Sequence, residues 1–159
     1  VCGGWPGGSN EHNHLVSSAA SSYVAAHWPT RLIWSGFEIG IQVQSGGAGF
    51  QACSVASSAN PVTAAMVNFE GGPDKSRFSW DPLTTLVAVR SIAGVPEVVD
   101  CSDCDGKNVI DPTTGSNAWA SGSPTNQSYL ILKDAEALGD ALDQLLCQPP
   151  RYARASALF

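Results

Sequence analysis

Basic residues are scarce in this chain. Eight Lys and Arg stand against fourteen Asp and Glu, giving a net charge of -6 and a pI near 4.8. Phosphate backbones would be repelled over most of such a surface, so nucleic acid is not an expected partner. Long apolar runs are also missing. No stretch approaches the roughly 20 apolar residues that span a bilayer, and the first residues show neither a basic n-region nor an apolar h-region. Membrane insertion is not expected either. The chain has no internal repeat, no second paired-Cys motif, and no Lys-Ser or Lys-Thr after Gly46-Gly47-Ala48-Gly49. Those absences argue against a repeat array, a four-ligand zinc site and a phosphate loop.

What is present suits a folded domain. A chain of 159 residues, 43% of them hydrophobic, can bury roughly 70% of the surface exposed by its unfolded form. Five cysteines, Cys2, Cys53, Cys101, Cys104 and Cys147, are many for a cytosolic domain of this size and favour secretion. The triplet Asn126-Gln127-Ser128 lies in a stretch rich in Ser, Gly, Pro and Asn, which makes Asn126 a candidate for N-glycosylation on an exposed loop. Val1-Cys2-Gly3-Gly4 reads as a buried strand running directly into a Gly-rich loop, so a start in mid-fold is expected.

Periodicity and punctuation divide the rest. Val1 to Asn13 reads as a loop. Ser17 to Trp28 reads as an Ala-rich helix with Leu15, Ala19, Tyr23 and Ala26 at helical spacing, stopped by Pro29. Arg31 to Trp34 reads as a strand covered on both faces. Asn60-Pro61 opens a helix with Val62, Ala65, Met66 and Phe69 on one side, and Gly71-Gly72 ends it. Asp81-Pro82 begins another through Leu83, Leu86, Val87 and Arg90. Glu97 to Asp100, Lys107 to Ile110 and Tyr129 to Leu132 read as short strands of a β-meander. Asp134 caps a last helix reaching about Cys147, with Leu138, Leu142, Leu145 and Leu146 inward.

Several of these segments occur together, in order, in a known family. Gly3-Gly4-Trp5-Pro6-Gly7-Gly8-Ser9-Asn10-Glu11-His12-Asn13, His27-Trp28-Pro29-Thr30, Trp34-Ser35-Gly36-Phe37-Glu38-Ile39-Gly40, Ser79-Trp80-Asp81-Pro82 and Asp111 to Trp119 resemble the C-terminal portion of the nucleoside hydrolase-like family. The likeness covers about residues 1 to 148 and leaves 149 to 159 as a tail outside it. It implies an α/β fold: part of a nucleoside hydrolase-type parallel or mixed sheet flanked by helices, with a small β-meander and a C-terminal helix.

The resemblance also implies chemistry. The family cleaves the N-glycosidic bond of ribonucleosides with a calcium ion, a hard cation that takes six to eight oxygen ligands. Carried over, Glu11 and Asn13 bind ribose hydroxyls, and Asp81 is both a calcium ligand and a ribose contact. The plainer reading makes Asn13 and Asp81 helix N-caps, and a cap can also be a ligand. Two departures stand out. The family's Asp-x-Asp-x-x-x-Asp-Asp motif is absent, so calcium would need ligands from elsewhere. Trp80 occupies the place where many members have a His acid, and an indole is no proton donor at neutral pH. His12 is expected on the core side of its loop, while His14 and His27 are ordinary helix-start and turn residues. A local disulfide or a solvated acidic loop accounts best for Asp100-Cys101-Ser102-Asp103-Cys104-Asp105.

Two functions are therefore expected. One is a nucleoside hydrolase-like protein completed by an N-terminal half or a homologous chain, in an oligomer that takes a nucleoside as ligand. The other is a catalytically inactive structural or assembly subunit, extracellular, that retains the fold.

Overall fold

The computed structural model describes residues 9–51 and 60–148. The expected opening strand at Val1-Cys2 and the 149–159 tail lie outside them. The elements run β1 (Ser9–Asn10), α1 (His12–Val16), α2 (Ser18–His27), β2 (Leu32–Trp34), α3 (Phe37–Gly40), β3 (Gln44–Gly46), α4 (Pro61–Glu70), β4 (Ser76–Phe78) and α5 (Trp80–Arg90). A 3-10 turn at Ile92–Gly94 leads to β5 (Val98–Asp100), β6 (Gly106–Ile110), β7 (Ser116–Ser121), β8 (Gln127–Leu132) and α6 (Ala135–Leu146). No helix among the described residues is long and apolar enough to cross a membrane.

The protein is mixed α/β with small sheets. A three-stranded mixed sheet has the order β2-β8-β5, parallel between β2 and β8 and antiparallel between β8 and β5. A second sheet, β1-β7-β6, is antiparallel throughout, and β3 and β4 form a separate two-stranded ribbon. The expected β-meander is corrected by this pairing. Its strands exist, but β5 joins β8 instead of β6, while β6 pairs with β7, a strand for which the sequence carried no clear alternation. Ser9 and Asn10, expected in a loop, pair with Asn117 and Ser116.

Alternation on β8 explains the layering, because successive strand side chains point to opposite faces. Leu130 joins Val98, Leu83, Val87, Leu138 and Leu142 in the main core, so α5 and α6 cover that face. Tyr129, on the other face, packs with Trp34 and Cys104 around Trp119 of β7. Close approach of α6 to β3 depends on Gly139, since a Cβ there would lie 2.5 Å from the Gln44 carbonyl oxygen.

The helix ends follow local rules. Asn60 Oδ1 accepts from the Val62 and Thr63 N–H groups, Pro61 takes the first helical position, and Gly71 closes α4 in the left-handed conformation at φ 81°. Asp134 Oδ1 caps α6 by accepting from Ala137 N at 3.0 Å. Two expected helix faces are corrected. In α2 the inward position is Ala25, and Tyr23 is 65% exposed; small Ala and Ser side chains let α2 approach β6. In α4 the buried residue is Thr63, and Val62, Ala65, Met66 and Phe69 line an open groove with Arg77. Asn60 sets that rotation, since its Nδ2 donates to the Leu146 carbonyl at 2.7 Å and so ties the start of α4 to the end of α6.

Asp143 ties α6 to β3 by accepting from Gly46 N at 2.9 Å. Burial holds its carboxyl above the ordinary carboxylate range, against the opposing effect of the Gly46 hydrogen bond. Ser45, beneath it, is fully buried and accepts a 2.8 Å hydrogen bond from Ser79 at the start of α5.

Asn60 thus makes two separable contributions. Asn60→Ala is expected to lower the unfolding free energy by about 1–3 kcal/mol, the sum of a lost cap and a lost buried hydrogen bond. Asn60→Asp keeps the cap and loses only the donor to Leu146, so it should recover part of that loss in urea denaturation. Equal losses for the two variants would remove the cap from the account.

Candidate functional site

The residues singled out in the sequence fall on α1 and α5, which neighbour the carboxyl end of β2 through His14 against Trp34 and through Trp80 against Phe37, three residues past that end. Ligands of open α/β sheets bind outside the carboxyl ends of parallel strands, and β2 and β8 are the parallel pair of this molecule. On one side are β1 and α1, where Glu11 is 6% exposed. Its Oε1 accepts from the Asn13 backbone N–H at 3.2 Å and from Asn13 Nδ2 at 3.1 Å. Glu11 is therefore the α1 N-cap, and the assignment of that role to Asn13 is corrected. Asn13 itself is exposed.

His14 is the buried histidine of this loop, at 5% exposure, whereas His12 points to solvent. That reverses the expected order and follows from the helical turn, which carries residue 14 back under Glu11. Burial holds the His14 imidazole below its ordinary value, partly offset by the Glu11 carboxylate and by a side-chain hydrogen bond with Asn117. Trp34, the last residue of β2, meets the His14 ring edge-on with centroids 6.3 Å apart.

On the other side are α3 and α5. Phe37 stacks on Trp80 at 5.4 Å, Phe78 approaches the same indole at 5.3 Å, and Trp80 Nε1 donates to the Phe37 carbonyl at 3.0 Å. Gly40 permits this packing, because a Cβ there would collide with the indole. Asp81 follows at the exposed first turn of α5, where a carboxylate is favoured by the helix dipole. Ser79 is the N-cap, so the cap reading of Asp81 is corrected.

The structure joins Glu11 and Asn13 directly. It connects them to Asp81 only through the β2 end, by way of His14, Trp34, Phe37 and Trp80, and no hydrogen bond links Asp81 to either among the described residues. No group of three or more His, Cys, Asp or Glu suited to a metal ion occurs among the described residues. Asp81 by itself does not fit calcium, which needs several oxygen ligands.

A polar network behind the β2 end was not legible as functional. Gln127 Oε1 accepts from Trp34 Nε1 at 2.8 Å and from Asn108 N at 3.0 Å, while its Nε2 donates to the Ala25 carbonyl at 2.7 Å. Asn117 Nδ2 donates to Asn108 Oδ1 at 3.1 Å. One side chain so fixes α2, β2, β6 and β8. The only sequence signal was a polar residue at the start of an apolar strand.

Asn126, the sequon residue, is exposed, but its Nδ2 donates to the carbonyls of both Trp28 and Thr30 at 2.7 and 2.6 Å. A glycan on that nitrogen would remove one donor from the turn. Cys101 and Cys104 form a disulfide, and Cys147 is also disulfide-bonded. His27 stacks on Tyr23 at the surface, with centroids 4.2 Å apart.

Fold and site together define a mixed α/β protein with a polar and aromatic cluster at the end of a parallel strand pair. No protein-family model, curated protein or solved structure matches the chain.

The depressed His14 pKa has a definite sign. The folded state binds the proton less readily than the unfolded state with its value near 6.5. Stability from this residue is full above 6.5 and falls as pH drops from there toward the folded pKa. Circular dichroism melts at about pH 7.5 and about pH 5, roughly the bounds of histidine titration, should show a smaller Tm loss for His14→Gln than for the parent chain. Identical losses would place the acid sensitivity elsewhere.

Proposed function

We propose that this chain supplies the ribose-facing part of a nucleoside hydrolase-like protein, one that cleaves the N-glycosidic bond of ribonucleosides once a complementary N-terminal half or homologous chain completes it. The observation that supports the reading is the hydrogen-bonded pair of Glu11 and Asn13 at 3.1 Å, in the short helix whose His14 ring meets Trp34 at the carboxyl end of β2.

The chemistry available suits a vicinal diol. Glu11 offers a carboxylate acceptor and Asn13 a carboxamide beside it, already aligned by their mutual hydrogen bond. Asp81 offers a second, solvent-facing carboxylate. Sugar hydroxyls would exchange with the Asn13 amide for the Glu11 oxygen, and the charge makes those hydrogen bonds stronger than neutral ones. Calcium belongs to this proposal only with acidic ligands from the completing half. Trp80 holds its indole N–H on the Phe37 carbonyl, so it acts as a wall of the site and moves no proton.

A second reading is a non-catalytic assembly subunit that keeps the fold. It is favoured by the outward apolar side of α4, where Phe69 is 70% exposed with Arg77 over its ring at 4.3 Å. An extracellular setting fits both readings, since the Cys101–Cys104 disulfide would be reduced in the cytosol.

Calorimetric titration of ribose into the chain separates them. The ribose-facing reading expects Glu11→Ala and Asp81→Ala each to weaken binding by about tenfold, equivalent to about 1.4 kcal/mol. It expects calcium to tighten ribose binding only after the completing half is added. Ribose binding indifferent to both substitutions would sink the reading, and an inert, ordered oligomer would support the second.

A further inference from the structure

The sheet β2-β8-β5 carries a cavity of about 720 Å³ on the face that α5 covers. That volume lies within the range of small-molecule sites, roughly 300–1,000 Å³. Ile33 and Leu130 form its floor, since the register puts Ile33 beside Ser128, two residues before Leu130 on the same face of the sheet. Val87 and Ala88 of α5 and Ile92 of the 3-10 turn form the wall.

The polar residues of this cavity depart from ordinary packing. Asp100 gives its Oδ2 to Arg31 at the rim, and its Oδ1 is buried with no hydrogen-bond partner. Ser35, four residues along the chain from Arg31, also lines the cavity. It is 5% exposed, and its hydroxyl has no partner either. Four steps of extended chain span about 13 Å, so the two unsatisfied groups stand at opposite ends of an apolar floor. Each costs free energy until something supplies a partner. Ser91, on the same lining, holds φ 62° and ψ 167°, a conformation costly for any residue but glycine. It is the one non-glycine with positive φ among the described residues. Unsatisfied groups and backbone strain gather where a structure serves a ligand.

We propose that this cavity binds a small, neutral, elongated molecule with an apolar body. A hydroxyl or amide N–H at one end donates to Asp100 Oδ1, and an oxygen at the other accepts from the Ser35 hydroxyl. Rotation about a single side-chain bond presents either group to the guest. Charge selects a neutral one. Arg31 and Asp100 already balance each other, so an ammonium end would face the guanidinium and a carboxylate end the Asp100 carboxylate. The proposal goes beyond the ribose-facing reading and uses neither Glu11, Asp81 nor calcium, so either can fail without the other.

The probe is unbranched octanediol with a hydroxyl at each end, titrated into the full chain carrying 13C-labelled methyl groups. Methyl shifts should concentrate at Ile33, Val87, Ile92 and Leu130. The dimethyl ether of the same diol keeps the apolar body and loses both donors. It should bind about tenfold more weakly, as expected for a lost hydrogen bond to a charged group. Ser35→Ala should weaken diol binding by about fivefold while leaving the Tm of the free chain no lower, because the hydroxyl it removes has no partner. Octylammonium and octanoate, each charged at one end, should bind more weakly than the diol. Equal binding of the ether, or tighter binding of either ion, would overturn the proposal whether or not the variant folds. So would an unchanged diol affinity in folded Ser35→Ala, or an absence of shifts up to the solubility limit of the diol. The same shifts appearing without diol as the chain self-associates would also overturn it and give the cavity to a second copy.

Discussion

β8 is hydrogen-bonded along both edges and covered on both faces, and most of the molecule is arranged by that fact. Its edges hold β2 and β5, one in parallel and one in antiparallel register. Leu130 faces α5 and α6, and Tyr129 faces Trp119. A strand enclosed in this way must satisfy its polar neighbours internally. Gln127, at its first position, does so for four elements, joining Trp34, Asn108 and the Ala25 carbonyl. Each group it binds would be left without a partner in a half-buried layer if the carboxamide were lost, which is the expensive side of hydrogen bonding.

The candidate site inherits its geometry from this arrangement. Because β2 is held by β8 along Leu32 to Trp34, its carboxyl end places Trp34 against His14 and then delivers Phe37 to Trp80. Two segments that are distant in sequence, α1 and α5, are thus linked through β2 and the residues that follow it. The Cys101–Cys104 disulfide lies beside β8, with Cys101 N–H donating to Tyr129 O at 3.0 Å and Cys104 packed against Trp119.

Much of the local structure was legible from residues alone. Pro61 after Asn60, Gly71, Asp134 and the leucines of α6 mark element ends and a buried stripe through interactions within a few residues, so their meaning needs no partner. The close Cys101 and Cys104 likewise pointed to a local disulfide. The faces of α2 and α4 were misread because neither helix has one clear apolar stripe turned to the core. Ala25 is buried by close approach to β6, and Thr63 by the Asn60 link to Leu146.

What the sequence determined by itself was most of the elements, the caps at Asn60 and Asp134, and the acidic surface. The tertiary structure decided the strand order β2-β8-β5, the burial of His14 in place of His12, the use of Gln127 as a junction, and the stacking of Phe37 on Trp80. Caps and periodicity are energies between neighbours, written in short spacings. Strand order and polar burial depend on hydrogen bonds such as Trp34 to Gln127, 93 residues apart, and no local pattern encodes which distant partner will satisfy a buried polar group.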